Sequence, residues 1–316
     1  MILPNFFIVG GIKCGTTSLY QYLAQHPDIF MCPIKEPSFF SEYGGIQTKY
    51  VFSETKKGFS EQPLYQNPDE KLVNLSKDEY LLLFDKVKDE KIIGEATPHY
   101  LMDESSAEMI YEHCPDAKIL ISLRDPIERI YSWYLSTTRT KIDANSFGKI
   151  IKHDFKNFGT TASVEGWTNQ YENSLRPSFY SDQVEKYFNV FGRKQVKIVT
   201  FEEIFLGDIR KGITDILKFL GLENQIHEFD LVNTDGYFTP NMGVLNILRN
   251  PIVSKIGTLV PYKIRIKMYR KLREKDKIKP SMKEEDRKFL HDIFSDDVKK
   301  TEMLIGRVFP WKNFHE

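Results

Sequence analysis

Lys13, Cys14, Gly15, Thr16, Thr17 and Ser18 place one cation, three hydroxyls and a row of backbone N–H groups in six consecutive positions. They follow the apolar run Phe6-Phe7-Ile8-Val9 and the pair Gly10-Gly11, and they open the helical pattern Thr17–Gln25. A strand, a Gly-rich turn and a helix start in that order make an anion site. The first turn of a helix has N–H groups without intrahelical acceptors and carries partial positive charge, so it favours phosphate or sulfate. Gly10, Gly11 and Gly15 permit a tight turn and a close approach of backbone to ligand. Lys13 adds a full charge. In the Walker A order the Lys follows the last Gly and precedes Ser/Thr. Here Lys13 comes before Gly15, which makes a nucleoside triphosphatase the weaker reading. Cys14 has no paired Cys and no neighbouring base, and reads as a small residue tolerated in the loop.

A second group is Ile119–Leu123, then Arg124-Asp125-Pro126 and Ile127–Tyr134. Arg124 ends a strand and Pro126 starts a helix. Ser132 lies two turns into that helix and can face the strand terminus. A guanidinium and a hydroxyl there suit a second phosphate, which guanidinium binds bidentately. Taken alone, the same residues also fit an Arg124 paired with a helix carboxylate and a Ser132 that merely packs. Glu95 follows the strand Ile92–Gly94, and His99 stands four residues later. Either can act as a general base, and His99 has the better intrinsic pKa. Glu95 can instead pair with Lys13 or Lys35, and His99 can be a hydrogen-bonded wall residue. Lys35 either reaches the reacting group or is a solvated loop charge. Trp133 either stacks on a ligand ring or fills the core.

The elements that must position these groups are short apolar strands and amphipathic helices in alternation. Strands are expected at Phe6–Val9, Ile92–Gly94, Lys118–Leu123 and Val196–Thr200. Helices are expected at Thr17–Gln25, Lys77–Phe84, Ser105–His113, Pro126–Thr138, Ser181–Phe191, Ile209–Leu220 and Glu284–Ile305. This order predicts an α/β, P-loop-like, three-layer fold with a central parallel sheet flanked by helices. Ligands of such sheets sit at the carboxyl ends of the strands. The Lys13 loop, Glu95 and Arg124 would then converge on one edge. One domain over residues 1–316 is expected, with 142–173 and 233–280 as substrate-side loops or lid.

With 316 residues, Lys+Arg equals Asp+Glu at 44 each, so the whole molecule is not a general polyanion binder and no nucleic-acid partner is expected. Cys14, Cys32 and Cys114 are scattered and suggest neither a disulfide framework nor a metal site. No secretory leader pattern and no run of membrane-span length stands out, so a soluble, cytoplasmic chain is expected. One stretch, Lys263–Lys279, is strongly basic. A solvated helix face is its default reading; contact with a membrane surface or an anionic acceptor is the other.

Together, Lys13-Cys14-Gly15-Thr16-Thr17-Ser18 and Arg124-Asp125-Pro126…Tyr131-Ser132-Trp133-Tyr134 resemble the two nucleotide-binding motifs of sulfotransferases that use 3′-phosphoadenosine 5′-phosphosulfate (PAPS). The resemblance implies that the first motif holds the 5′-phosphosulfate and the second the 3′-phosphate. Pro33-Ile34-Lys35-Glu36-Pro37-Ser38-Phe39-Phe40 and Gly94-Glu95-Ala96-Thr97-Pro98-His99-Tyr100-Leu101 resemble segments of the carbohydrate and heparan branch. Phe219-Leu220-Gly221-Leu222 and the late Glu284-Glu285…Phe294…Trp311 pattern fit as well, the latter mostly bacterial members. The resemblance runs nearly end to end. It implies sulfuryl transfer to a hydroxyl or amine of a glycan or small-molecule acceptor, no required metal, Glu95 as the preferred base and His99 as a substrate contact. An ATP-dependent kinase and a catalytically silent nucleotide- or glycan-binding relative are the alternatives. Many relatives carry a basic residue near Thr239-Pro240-Asn241-Met242-Gly243, where this chain has none; Arg249 is a candidate substitute.

Overall fold

The computed structural model describes residues 2–41, 50–55, 58–63, 75–137, 144–158, 174–223 and 281–315. Five parallel strands form the central sheet: β1 (Phe6–Ile8), β2 (Ile29–Met31), β6 (Ile92–Ala96), β7 (Lys118–Leu123) and β8 (Val196–Thr200). Their order across the sheet is β2-β6-β1-β7-β8, so β1 is central and its neighbours are β6 and β7. Between β2 and β6 in sequence, β3 (Ile34–Lys35), β4 (Tyr50–Thr55) and β5 (Gly58–Pro63) form a separate antiparallel sheet.

Alternate residues of β1 face opposite cores, as strand pleating requires. Phe6 and Ile8 meet α1 (Thr16–Leu23) and α7 (Ile209–Leu220). Phe7 faces the larger cluster, built from α2 (Lys77–Leu82), α3 (Ser106–His113), α4 (Pro126–Thr137), α5 (Ala144–Lys156), α6 (Ser181–Phe191) and α8 (Glu284–Ile305). The sheet therefore lies between two helical layers, the three-layer α/β arrangement expected from the strand–helix alternation. Among the described residues, no helix is long and apolar enough to cross a membrane.

Besides shifts of one or two residues at several element ends, two differences from the sequence reading bear on the site. The strand ending at Gly94 continues to Ala96, because Glu95 and Ala96 keep register beside Phe7 and Ile8. Glu95 is thus inside β6, not after it. Residues 144–156 form a helix, where a loop or partial helix was expected. Its Phe147 ring packs 5.0 Å from Tyr131 and 5.1 Å from Tyr134. The rest of 142–173, all of 233–280 with its basic stretch Lys263–Lys279, and Asn241, Met242 and Arg249 lie outside the described residues.

Candidate active site

The Lys13 loop is held by the strand beside it. Val9 N donates to Leu120 O at 3.1 Å, and Ser122 Oγ donates to Cys14 O at 2.6 Å. Gly10 passes so close to β7 that a Cβ there would stand 2.0 Å from Ser122 N. Only glycine fits that position. Gly15 has φ +87° and caps α1 with no side chain of its own to accept from the first N–H groups of that helix. Lys13 itself has φ 68°, in the left-handed region that non-glycine residues seldom occupy. Such backbone persists where the surroundings impose it, commonly at ligand sites.

Thr16 and Ser18 are buried at the helix start and Thr17 is half-buried. Cys14 belongs to the scaffold instead. Its thiol is buried 3.9 Å from Tyr180 Oη, burial pushes its pKa up to about 12, and its N–H is already given to Gly11 O. Both its sulfur and its N–H are thus engaged within the protein.

Arg124 follows β7, the other neighbour of the loop. Its Nη1 donates to Lys13 O at 3.2 Å, joining the two motifs directly. The guanidinium lies 4.1 Å from the Phe201 ring centroid, a cation–π contact. Its Nε is buried with no hydrogen-bond partner among the described residues. A buried donor without a partner is costly and points to a missing acceptor. Ser132 is buried on α4, whose first turn is capped by Asp125: its Oδ1 accepts from Ile127 N at 3.0 Å. Trp133 packs partly buried against the larger core cluster, the core alternative of the sequence reading. Two residues escaped sequence reasoning here. Phe201 begins the turn after β8, and Arg129, fully buried on α4, donates to Ser178 Oγ and Ser174 O. The Arg129 position, one helical turn after Arg124-Asp125, was the available signal.

The third group sits at the carboxyl end of β6. Thr97 N donates to Ile8 O and Leu101 N to Val9 O, both at 3.1 Å, so the 3₁₀ turn Pro98–Leu101 docks on the end of β1. Glu95 is fully buried. Its Oε1 accepts from Thr97 Oγ1 at 2.7 Å, and its Oε2 accepts from Tyr80 Oη. Burial outweighs these bonds and pushes its pKa up to about 7. Phe39 stacks on Tyr80 with ring centroids 4.2 Å apart. His99 is buried beside Lys35, Glu36 and Asp103, and burial lowers its pKa to about 4, so it is neutral at pH 7. Lys35 is buried and ion-paired with Glu36. Glu36 and Ser38 have φ of 64° and 61°, so among the described residues all three non-glycine positions with positive φ lie in the loops at this sheet edge. Among the described residues no group of His, Cys, Asp and Glu could hold a metal ion.

The arrangement offers an anion cradle with a second cationic point at its side, and a high-pKa carboxyl beyond it. The comparisons agree with that chemistry. The family model described as "Sulfotransferase family" matches residues 4–226. A crystal structure of a sulfotransferase from Alicyclobacillus acidocaldarius superposes with a TM-score of 0.65 at 29% identity, over 98% of each chain. Carbohydrate sulfotransferase 15 of Rattus norvegicus is 25% identical over 70% of this chain and 44% of its own length. Heparan sulfate glucosamine 3-O-sulfotransferase 3B1 of Homo sapiens is 24% identical over 71% of this chain and 47% of its own. The chain thus spans about half the length of the curated relatives it matches. With the three-layer fold and the Lys13 and Arg124 motifs within the matched span, the chain belongs to the sulfotransferase family.

Proposed function

We propose that this protein transfers the sulfuryl group of PAPS to a hydroxyl or amine of a carbohydrate acceptor. The observation that carries the reading is the direct link between the two motifs, Arg124 to Lys13 O, at the carboxyl ends of adjacent strands. The residues fit a nucleotide with phosphates at both ends. Lys13 and the uncapped start of α1 would receive the 5′-phosphosulfate, and the orphaned Nε of Arg124, with Ser132, the 3′-phosphate. When bound, PAPS supplies an activated sulfuryl group and a phosphate leaving group.

The protein's task is positioning and charge stabilisation, by analogy with phosphoryl transfer. Lys13 and the α1 N–H groups stabilise negative charge on the leaving oxygen. Glu95 takes the acceptor's proton. Its pKa near 7 matches that task at neutral pH, whereas His99, held near 4, is the weaker base and serves as an acceptor contact. Lys35, beside His99, extends that contact surface. The carbohydrate acceptor is supported by the names of the relatives, which are carbohydrate and heparan sulfate sulfotransferases.

Thermal unfolding with two nucleotides tests the donor. Adenosine 3′,5′-bisphosphate at 100 times its Kd, without metal, stabilises the fold by about 2.7 kcal/mol. ATP with magnesium leaves the midpoint unchanged. The opposite pattern would replace this reading with a kinase.

A further inference from the structure

The C-terminal residues after α8 return to the Arg124 turn, more than a hundred positions away in sequence. Trp311 is fully buried, with its ring 4.4 Å from that of Phe309 and 5.9 Å from that of Tyr180. Its Nε1–H donates to Glu202 Oε2 at 3.1 Å, and Asp125 N donates to Glu202 Oε1 at 3.2 Å. Asn313 donates from Nδ2 to Asp125 Oδ2 at 2.8 Å and from its backbone N at 3.3 Å. The remaining oxygen, Asp125 Oδ1, accepts from Ile127 N and Glu128 N. Arg287 of α8 fixes Asn313 by donating to its Oδ1.

Two carboxylates therefore stand near Arg124, and all four of their oxygens are occupied by N–H donors. Among the described residues Arg124 makes no ion pair; it faces Lys13 O, the Phe201 ring and, at Nε, nothing. A buried guanidinium next to buried acids would ordinarily pair with one of them. Burial also pushes Glu202 up to about 7 and Asp125 above its ordinary value, which weakens their hold on the cation further.

We propose that Phe309–Asn313 is a positioning element of the nucleotide site: Trp311 and Asn313 hold Glu202 and Asp125 in bonds that keep both carboxylates from neutralising Arg124, so its guanidinium stays available to an anion. This rests on the assignment of Arg124 to the donor's 3′-phosphate. Trp311 and Asn313 act through Arg124 and touch no reacting group.

Calorimetry on the full chain, comparing adenosine 3′,5′-bisphosphate with adenosine 5′-phosphate, tests it. Trp311→Phe keeps a ring and removes the N–H. It should weaken the bisphosphate about tenfold, the effect of one charge-assisted bond, and the monophosphate less than about twofold. Adding Glu202→Gln removes the competing charge and should restore the bisphosphate to within about threefold of the parent. Glu202→Gln alone should bind it as well as the parent or better. Equal weakening of both nucleotides, or a double variant as weak as Trp311→Phe, would reduce the segment to a packing role. Should Trp311→Phe not fold, Asn313→Ala with and without Asp125→Asn applies the same logic, since Asn keeps the α4 cap. Arg124→Ala separates the two claims. If it abolishes the bisphosphate preference while the Trp311 variant leaves it intact, only the positioning role falls. If Arg124→Ala retains the preference, the 3′-phosphate assignment fails and the positioning role with it.

Discussion

At the Arg124 end of the site a buried cation meets a carbonyl oxygen and a phenyl ring, and one of its donors meets nothing among the described residues. At the Glu95 end the ionisable groups are already matched. Lys35 is paired with Glu36, and Glu95 takes hydroxyl bonds from Tyr80 and Thr97. The first region is preorganised for an anion and loses little on receiving one. The second is self-satisfied, so an acceptor must replace bonds that the protein now makes to itself. Changes at the first end should therefore register in nucleotide affinity, and changes at the second in turnover and its pH dependence.

The largest effect is expected where donor binding and leaving-group stabilisation meet. Lys13→Ala should lower turnover by roughly 10³-fold, the upper range for removal of one preorganised electrostatic donor, and weaken donor binding as well. Unchanged turnover in steady-state assays would remove Lys13 from the donor site.

Glu95→Gln should lower turnover by roughly 10²-fold, the lower range for loss of a general base, with near-parent donor affinity. The pH profile sharpens the contrast. Burial raises Glu95 from 4.5 to about 7, so the carboxyl is protonated below that pH and cannot accept a proton. The parent rate should climb as pH rises through about 7, and Glu95→Gln should lack that limb. A milder loss is expected for His99→Asn. If His99→Asn loses the limb and Glu95→Gln keeps it, the base is His99.

Smaller still is the selectivity change at the first end. Arg124→Ala and Ser132→Ala should each weaken adenosine 3′,5′-bisphosphate by roughly 1.5–3 kcal/mol at most, the range for a charge-assisted bond, and adenosine 5′-phosphate by less. Equal losses in calorimetry would place both residues away from the 3′-phosphate.

The two regions also differ in how legible they were. β1 and most of β7 are contiguous apolar runs buried on both faces, which is the pattern that marks a parallel strand, whereas β8 carries Lys197 and is only partly buried. The Lys13 loop and Arg124 follow such strands directly, so their common edge could be inferred from order alone. Glu95 was harder to place. A carboxylate reads as a strand end, and the hydroxyls of Tyr80 and Thr97 that let it sit inside β6 become neighbours only in the fold. The helix at 144–156 was hidden by Gly148, a residue unfavourable in helices. Its reason is tertiary, since a Cβ at Gly148 would stand 2.3 Å from Asp286 Oδ1. The contacts of Trp311 with Glu202 and of Asn313 with Asp125 join segments far apart in sequence, and no local pattern announces them.

Transfer itself is the most direct test of the central claim. Purified protein is incubated with PAPS carrying a radioactive sulfuryl group and a panel of desulfated glycosaminoglycan chains, without added metal and with chelator present. Label appearing on a glycan in step with release of adenosine 3′,5′-bisphosphate, and disappearing with Lys13→Ala, is the predicted result. Label that stays on PAPS, in a folded protein to which adenosine 3′,5′-bisphosphate gives no thermal stabilisation, would contradict the account.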